Sequence, residues 1–277
     1  MNGCTFLLRL GTGVILLGTL LAGLPASAAS LYQRSLQQLA ARTAKADPNH
    51  FRFVVVGDSR GGDAVFRKIL VKAASHQPLF VLHGGDVGDS GTRKELVHFL
   101  GLLAETAPEL PVFVVKGNHE RDAALFEELI GPRNFTLDCS RTGIRLVAAD
   151  NSGDALKGPE LEYLTRQLAE PRKFKFVALH IPPKTGHWDW HTFSDGAPEL
   201  LRLLNAAKVD MAFFSHVHTY TRDTLGAVPA IVTGGGGGTL YGPDRFPGEP
   251  IHHFILVRVD NGKVTAEPVR VEEDKNQ

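Results

Sequence analysis

Between residues 51 and 214 the chain repeats one pattern: a short unbroken apolar run, then an amphipathic stretch of helical period. Residues 51–56, 79–82, 112–115, 144–149, 174–179 and 211–214 read as strands, and 64–75, 94–103, 123–130, 161–169 and 199–206 as helices. A strand apolar along its whole length must be covered on both faces. β-Branched and aromatic runs separated by helices therefore predict an α/β fold with a largely parallel sheet. After Ser215 the helical stretches stop. Residues 228–232, 253–259 and 264–271 read as consecutive strands, Asn261-Gly262 as a hairpin turn, and Pro268 as a mark of an edge strand. The change comes without a linker or a shift in composition, so residues 51–277 are expected to form one domain, preceded by a polar, weakly helical segment over 29–50.

The first 28 residues are of another kind. Arg9 is their only charge, a run of about 15 apolar residues follows, and Ala26-Ser27-Ala28 closes the segment. A positive start, an apolar run too short to span a bilayer and a small-residue site together predict a secretory signal peptide cleaved after Ala28. The expected location is the bacterial periplasm or the cell exterior, with no membrane span after cleavage. Cleavage removes Cys4 and leaves Cys139 alone, so no internal disulfide is expected, and Cys139 reads as a small apolar core residue.

Composition removes several function classes. Lys and Arg total 30 and Asp and Glu total 30, so no basic excess exists to neutralise a nucleic-acid backbone. At 43% hydrophobic the chain is too apolar to be disordered, and two cysteines cannot build a disulfide scaffold or a cysteine-based zinc module. Twelve histidines are the oddity, and any bound metal must use nitrogen and oxygen ligands.

Ligands of α/β proteins gather at strand carboxyl ends. Those positions hold Gly57-Asp58-Ser59-Arg60, then Gly84-Gly85-Asp86-Val87-Gly88-Asp89, then Lys116-Gly117-Asn118-His119-Glu120, then His180, then Ser215-His216-Val217-His218. Carboxylate, amide and imidazole suit Zn²⁺, Mn²⁺ or Fe. A glycine before each Asp would let the chain turn sharply on leaving the strand. An extended segment would point His216 and His218 the same way, towards two neighbouring metals.

In order and interval these elements resemble the calcineurin-like metallophosphoesterase superfamily, over residues 51 to about 260. The resemblance implies a four-layer α/β/β/α sandwich of two mixed sheets flanked by helices. It also implies two divalent metal ions (Mn, Fe or Zn) that hold a bridging hydroxide. By position, Asp58, Asp86 and His218 would hold one metal and Asn118, His180 and His216 the second, with Asp86 bridging and His119 as the catalytic group. Where the family usually has a ligating His two residues after the first Asp, this chain has Arg60. A guanidinium has no lone pair to donate, so Arg60 is expected to contact substrate phosphate beside Asn118.

The expected function is hydrolysis of a phosphorylated small molecule, monoester or diester; the alternative is a non-catalytic periplasmic protein binding a phosphorylated ligand in the same pocket. Oligomeric state is not legible. Plainer roles are expected elsewhere: His83 and His98 as structural or exposed residues, Asp89 as a loop-capping carboxylate, and the five glycines 234–238 as room for a close backbone approach to the metals. Residues 186–191 contain two tryptophans and either line the pocket or pack on themselves.

Overall fold

The computed structural model describes residues 29–272. The signal peptide expected over 1–28 lies outside them. The chain opens with α1 (Leu31–Lys45), started by a capping box in which Ser30 and Gln33 satisfy each other's backbone N–H. Its buried face carries Leu31 and Leu39, and the Ser35 hydroxyl both donates to the carbonyl and accepts from the N–H of Val112. The helix thus closes an edge that would otherwise expose unpaired backbone groups.

That edge belongs to a five-stranded sheet in the order β11-β10-β1-β2-β3. Its parallel part is β1 (His50–Val56), β2 (Val81–His83) and β3 (Val112–Val114), linked by α2 (Asp63–Ser75) and α3 (Arg93–Thr106) and followed by α4 (Ala123–Leu129). The second sheet runs β4-β5-β6-β7-β9-β8. It contains β4 (Phe135–Cys139), β5 (Ile144–Ala148), β6 (Phe174–Ala178), β7 (Met211–Phe214), β8 (Tyr220–Leu225) and β9 (Val228–Thr233), with α5 (Gly158–Ala169) and α6 (Ala197–Ala206) between strands. β10 (His253–Asp260) and β11 (Lys263–Arg270) then return to the first sheet as an antiparallel hairpin. Asn261 and Gly262 at its turn both take positive φ, the demand that makes Asn-Gly the favoured pair there.

Two mixed sheets flanked by helices is the architecture expected from the sequence. The sheets meet through Phe51, Phe53, Phe113, Phe176 and Phe213, with Phe53 stacked on Phe80 and edge-on to Phe176. Cys139 is buried in this layer. The outer faces are covered by α2 and α3 on one side and by α5 and α6 on the other. β4 and β8 were not read from the sequence. Both are edge strands interrupted by polar residues, so neither shows the unbroken apolar run of the central strands. Among the described residues no helix is long and apolar enough to cross a membrane.

Candidate metal centre

Each candidate side chain leaves the carboxyl end of a parallel strand: Asp58 after β1, Asp86 after β2, Asn118 and His119 after β3, His180 after β6, and His216 and His218 after β7. Backbone hydrogen bonds tie these exits together. Asp58 N–H donates to Gly85 O at 3.0 Å, and Ser215 N–H donates to His180 O at 2.8 Å.

Gly85, directly before Asp86, turns as the sequence predicts, at φ 103°, whereas Gly57, directly before Asp58, takes no positive φ. Asp58 and Asp86 themselves take the left-handed turn, at φ 61° and 57°, and His216 does so at 67°. Non-glycine residues hold such backbone only where their surroundings fix it, and functional sites collect them. Gly57 and Gly84 serve instead for close approach: a Cβ on either would sit 2.1 or 1.9 Å from Ser215 Oγ. A Cβ on Gly117 would sit 2.1 Å from Asp86 Oδ1. The left-handed turn also corrects the expectation of an extended His216–His218 segment. The two rings diverge, His216 towards His180 and His218 towards Asp58.

One group of donors surrounds His180 Nε2. Asn118 Oδ1 lies 3.0 Å from it, His216 Nδ1 3.3 Å and Asp86 Oδ1 3.4 Å. One ligand atom each from Asp86, His180 and His216 fit within 4.8 Å of one another. The second group is Asp58 and His218, with Oδ1 and Nε2 3.5 Å apart. His180 Nδ1 donates to Gly84 O and His218 Nδ1 to Thr239 O, both at 2.7 Å. Fixing Nδ1–H on a carbonyl turns Nε2 inward, the support that metal-bound imidazoles have.

The charges ask for a cation. Burial works to lower His180, but the charge and hydrogen bond of Asp86, with Asp58, raise it to about 9. His218 is likewise opposed by burial and raised by Asp58. Burial, and then the charge on His180, lowers His216 to about 3, so its lone pair is available. Asp58 Oδ1 is buried and accepts no hydrogen bond. Glycines 234 and 238 crowd the same place: a Cβ on Gly234 would lie 2.9 Å from Asp58 Oδ2, and one on Gly238 2.7 Å from the His218 ring. An unpartnered carboxylate oxygen, inward imidazoles and a glycine-lined cradle fit divalent cations.

Beside the donors, Arg60 Nε donates to Asp89 Oδ1 at 2.8 Å and Nη1 donates to His119 Nε2 at 2.9 Å. Nη1 also lies 4.0 Å from Asp86 Oδ2. His119 Nδ1 donates to Asp89 O, and its backbone N–H donates to Asp86 Oδ1 at 3.0 Å. Asp89 is therefore the ion-pair partner of Arg60 rather than a loop cap. His83 is fully buried and neutral, lowered to about 3 by desolvation, with Nδ1 accepting from Gly85 N–H and Nε2 bonded to Ser59. His98 is exposed beside Asp63.

Two residues that sequence reading gave no role hold the loops in place. The buried Glu120 carboxylate accepts from the N–H groups of Asp86, Val87 and Gly117 at 3.0, 2.9 and 2.8 Å. Burial, and then the Asp86 charge, raises it to about 7. Asn151 Oδ1 accepts from His180 and Ile181 N–H at 3.0 and 3.1 Å, while its amide donates to Ile181 O. Glu120 stood in the motif without a role, and Asn151 carried no sequence signal.

A family model for calcineurin-like phosphoesterases matches residues 51–220. A probable cyclic nucleotide phosphodiesterase of Pseudoalteromonas sp. (strain SM9913) is 28% identical over 160 residues, 55% of this chain. That stretch spans only 61% of the relative's length. Among solved structures, a purple acid phosphatase from yellow lupin (Lupinus luteus) seeds matches with TM-score 0.67 and 17% identity, over 80% of this chain and 51% of that one. The protein described as the anchor in the inner membrane complex of Plasmodium matches with TM-score 0.64 and 14% identity, over 82% of this chain and 90% of that one. At such identities the structural matches show the fold alone.

Proposed function

The chain belongs to the calcineurin-like phosphoesterase family, and we propose that it hydrolyses phosphate mono- or diesters at a centre of two divalent cations. The observation that carries this reading is the convergence of Asp86, Asn118, His180 and His216 beside the Asp58–His218 pair, with Asp58 Oδ1 unpartnered. Asp58, Asp86 and His218 would hold one ion and Asn118, His180 and His216 the other, with Asp86 shared. Bound there, two divalent ions supply Lewis acidity towards phosphoryl oxygens and a water of lowered pKa.

The chain's own groups supply the rest. Arg60 Nη2 makes no hydrogen bond among the described residues, which leaves a cationic donor for a phosphoryl oxygen. His119 Nε2 holds its lone pair towards Arg60. When Arg60 turns to the phosphate, that nitrogen is freed to carry a proton for the departing alcohol oxygen. The Asp89 carbonyl on Nδ1–H keeps the ring oriented throughout. The name of the Pseudoalteromonas relative supports diesters among the substrates. Export with cleavage after Ala28 belongs to the same reading and rests on the sequence of residues 1–28 alone.

A second reading, a non-catalytic protein holding a phosphorylated ligand, is favoured by the Arg60–His119 contact, which occupies the proposed proton-carrying nitrogen. Turnover of p-nitrophenyl phosphate and bis-p-nitrophenyl phosphate with Mn²⁺, Fe²⁺ or Zn²⁺, together with metal analysis, separates the two. Under the first reading His119→Ala loses about 10²–10⁴ in rate. Absence of turnover with every metal, alongside retained binding of inorganic phosphate, would favour the second.

A further inference from the structure

We infer that Trp190, with Tyr241 and His191, forms a stacking subsite for a planar aromatic group carried by the phosphoester. The inference rests on the phosphoesterase reading and names a substrate class for that site.

A continuous chain of rings links the two groups of candidate ligands. From His180 to His216 the centroids are 5.1 Å apart, from His216 to His191 5.3 Å, and from His191 to Trp190 3.9 Å. Trp190 then meets Tyr241 edge-on at 5.2 Å, and Tyr241 stacks on His218 at 4.8 Å with the planes only 9° apart. The first and last rings are metal-ligand candidates of different groups. A phosphoryl group held between those ligands therefore has an ester substituent within reach of the rings.

The two tryptophans of this loop divide their work. Trp188 is fully buried, stacked on Phe246 and edge-on to Phe214, and its backbone N–H donates to Thr185 Oγ1 at 2.8 Å. It anchors the loop. Trp190 and Tyr241 pack against the same core cluster but are only half-buried, and His191 is exposed, so part of these rings remains accessible to solvent beside the site. Tyr241 is positioned by its backbone N–H, which donates to His218 O at 2.9 Å, and by its stacking on the His218 ring. The Arg245 guanidinium lies 5.8 Å from the Tyr241 ring centroid and adds a positive charge at this margin. Fixed, partly exposed rings suit stacking, which accepts a nucleobase or a simple aryl ring because both present a π face.

The test uses the mature, Mn²⁺-loaded protein with 5′-AMP, phenyl phosphate and glycerol 2-phosphate as substrates. Trp190→Leu is expected to lower the ratio of aromatic to aliphatic kcat/KM about ten-fold, mainly through KM, and Trp190→Phe to restore most of it. A larger loss on 5′-AMP than on phenyl phosphate assigns the subsite to nucleosides; equal losses assign it to any aryl group. A second readout needs no turnover. The chain has two tryptophans, and with Trp188 buried, phenylphosphonate is expected to quench Trp190 fluorescence where methylphosphonate does not. Equal losses on aromatic and aliphatic esters, with no selective quenching, would overturn the subsite while leaving the phosphoesterase reading intact. Failure of every ester to turn over would count against that reading, and the phosphonate quenching still decides the subsite.

Discussion

Asp58 Oδ1 faces His218 Nε2 across 3.5 Å, and although both residues are buried this oxygen accepts no hydrogen bond. A buried carboxylate oxygen without a partner is costly, and a cation removes the cost. Metal is therefore expected to stabilise the fold. At about a hundred-fold excess over Kd the gain is about 2.7 kcal/mol. Asp58→Asn, which lowers the site's negative charge, is expected to abolish most of that gain. Thermal unfolding in EDTA and in Mn²⁺ measures it for both proteins. Equal metal-induced shifts would count against Asp58 as a ligand.

Glu120 supports a different failure. Its carboxylate accepts three backbone N–H groups from the loops that carry Asp86 and Asn118. Glu120→Gln keeps the shape but replaces one acceptor oxygen with an NH₂ that opposes those donors. Leaving one or two buried N–H groups unsatisfied costs about 1–3 kcal/mol each. Denaturant unfolding of the metal-free protein is expected to show a loss in that range, accompanied by weaker metal binding in a calorimetric titration. An unchanged midpoint would mean the loops hold without Glu120.

Arg60 can be separated from the ligands by two substitutions. Arg60→Ala removes the proposed phosphate contact and is expected to raise KM for phosphoesters about ten-fold. Arg60→His introduces a lone pair near Asp58 and Asp86 and is expected to tighten metal binding in the first group. Steady-state kinetics and metal stoichiometry read the two effects independently. If neither variant altered either quantity, Arg60 would have no part in the site beyond its contacts with Asp89 and His119.

What could be read from the sequence follows burial. The strands carrying the site residues are buried on both faces, β3 included although it lies at a sheet edge, so their apolar runs stand out, and the polar residues just beyond them identify themselves. The edge strands β4 and β8 hide because threonine, arginine and aspartate interrupt them. The supporting groups hide for another reason. Glu120 and Asn151 act on backbone N–H groups, which leave no mark on the sequence of the loops they hold. The pairing of Asp89 with Arg60 crosses 29 positions, and the contrast between Trp188 and Trp190 depends on which ring meets Phe246. These are properties of packing between segments, and each segment looks ordinary by itself.

His253 offers a pH test outside the metal ligands. It starts β10, is fully buried, bonds Thr233 Oγ1 through Nε2 and contributes Nδ1–H to Ile251 O. Burial above all, with the charges of its neighbours, lowers it from 6.5 to about 4. The sign follows from linkage. Between those two values the unfolded chain binds a proton at this site that the folded protein does not, so stability falls as pH drops from 6.5 towards 4 and the loss is complete below 4. A shift of that size corresponds to about 3 kcal/mol. His83, buried and lowered to about 3, works in the same direction. In His253→Gln, whose amide does not titrate in this range, the decline in unfolding free energy between pH 6.5 and 4 is expected to be shallower by about 3 kcal/mol, whatever the variant's stability at neutral pH. Denaturant unfolding of both proteins in EDTA at several pH values measures the two slopes without the contribution of bound metal. Parallel slopes would mean that His253 gains its proton without unfolding, through a local opening of the 233–253 contact.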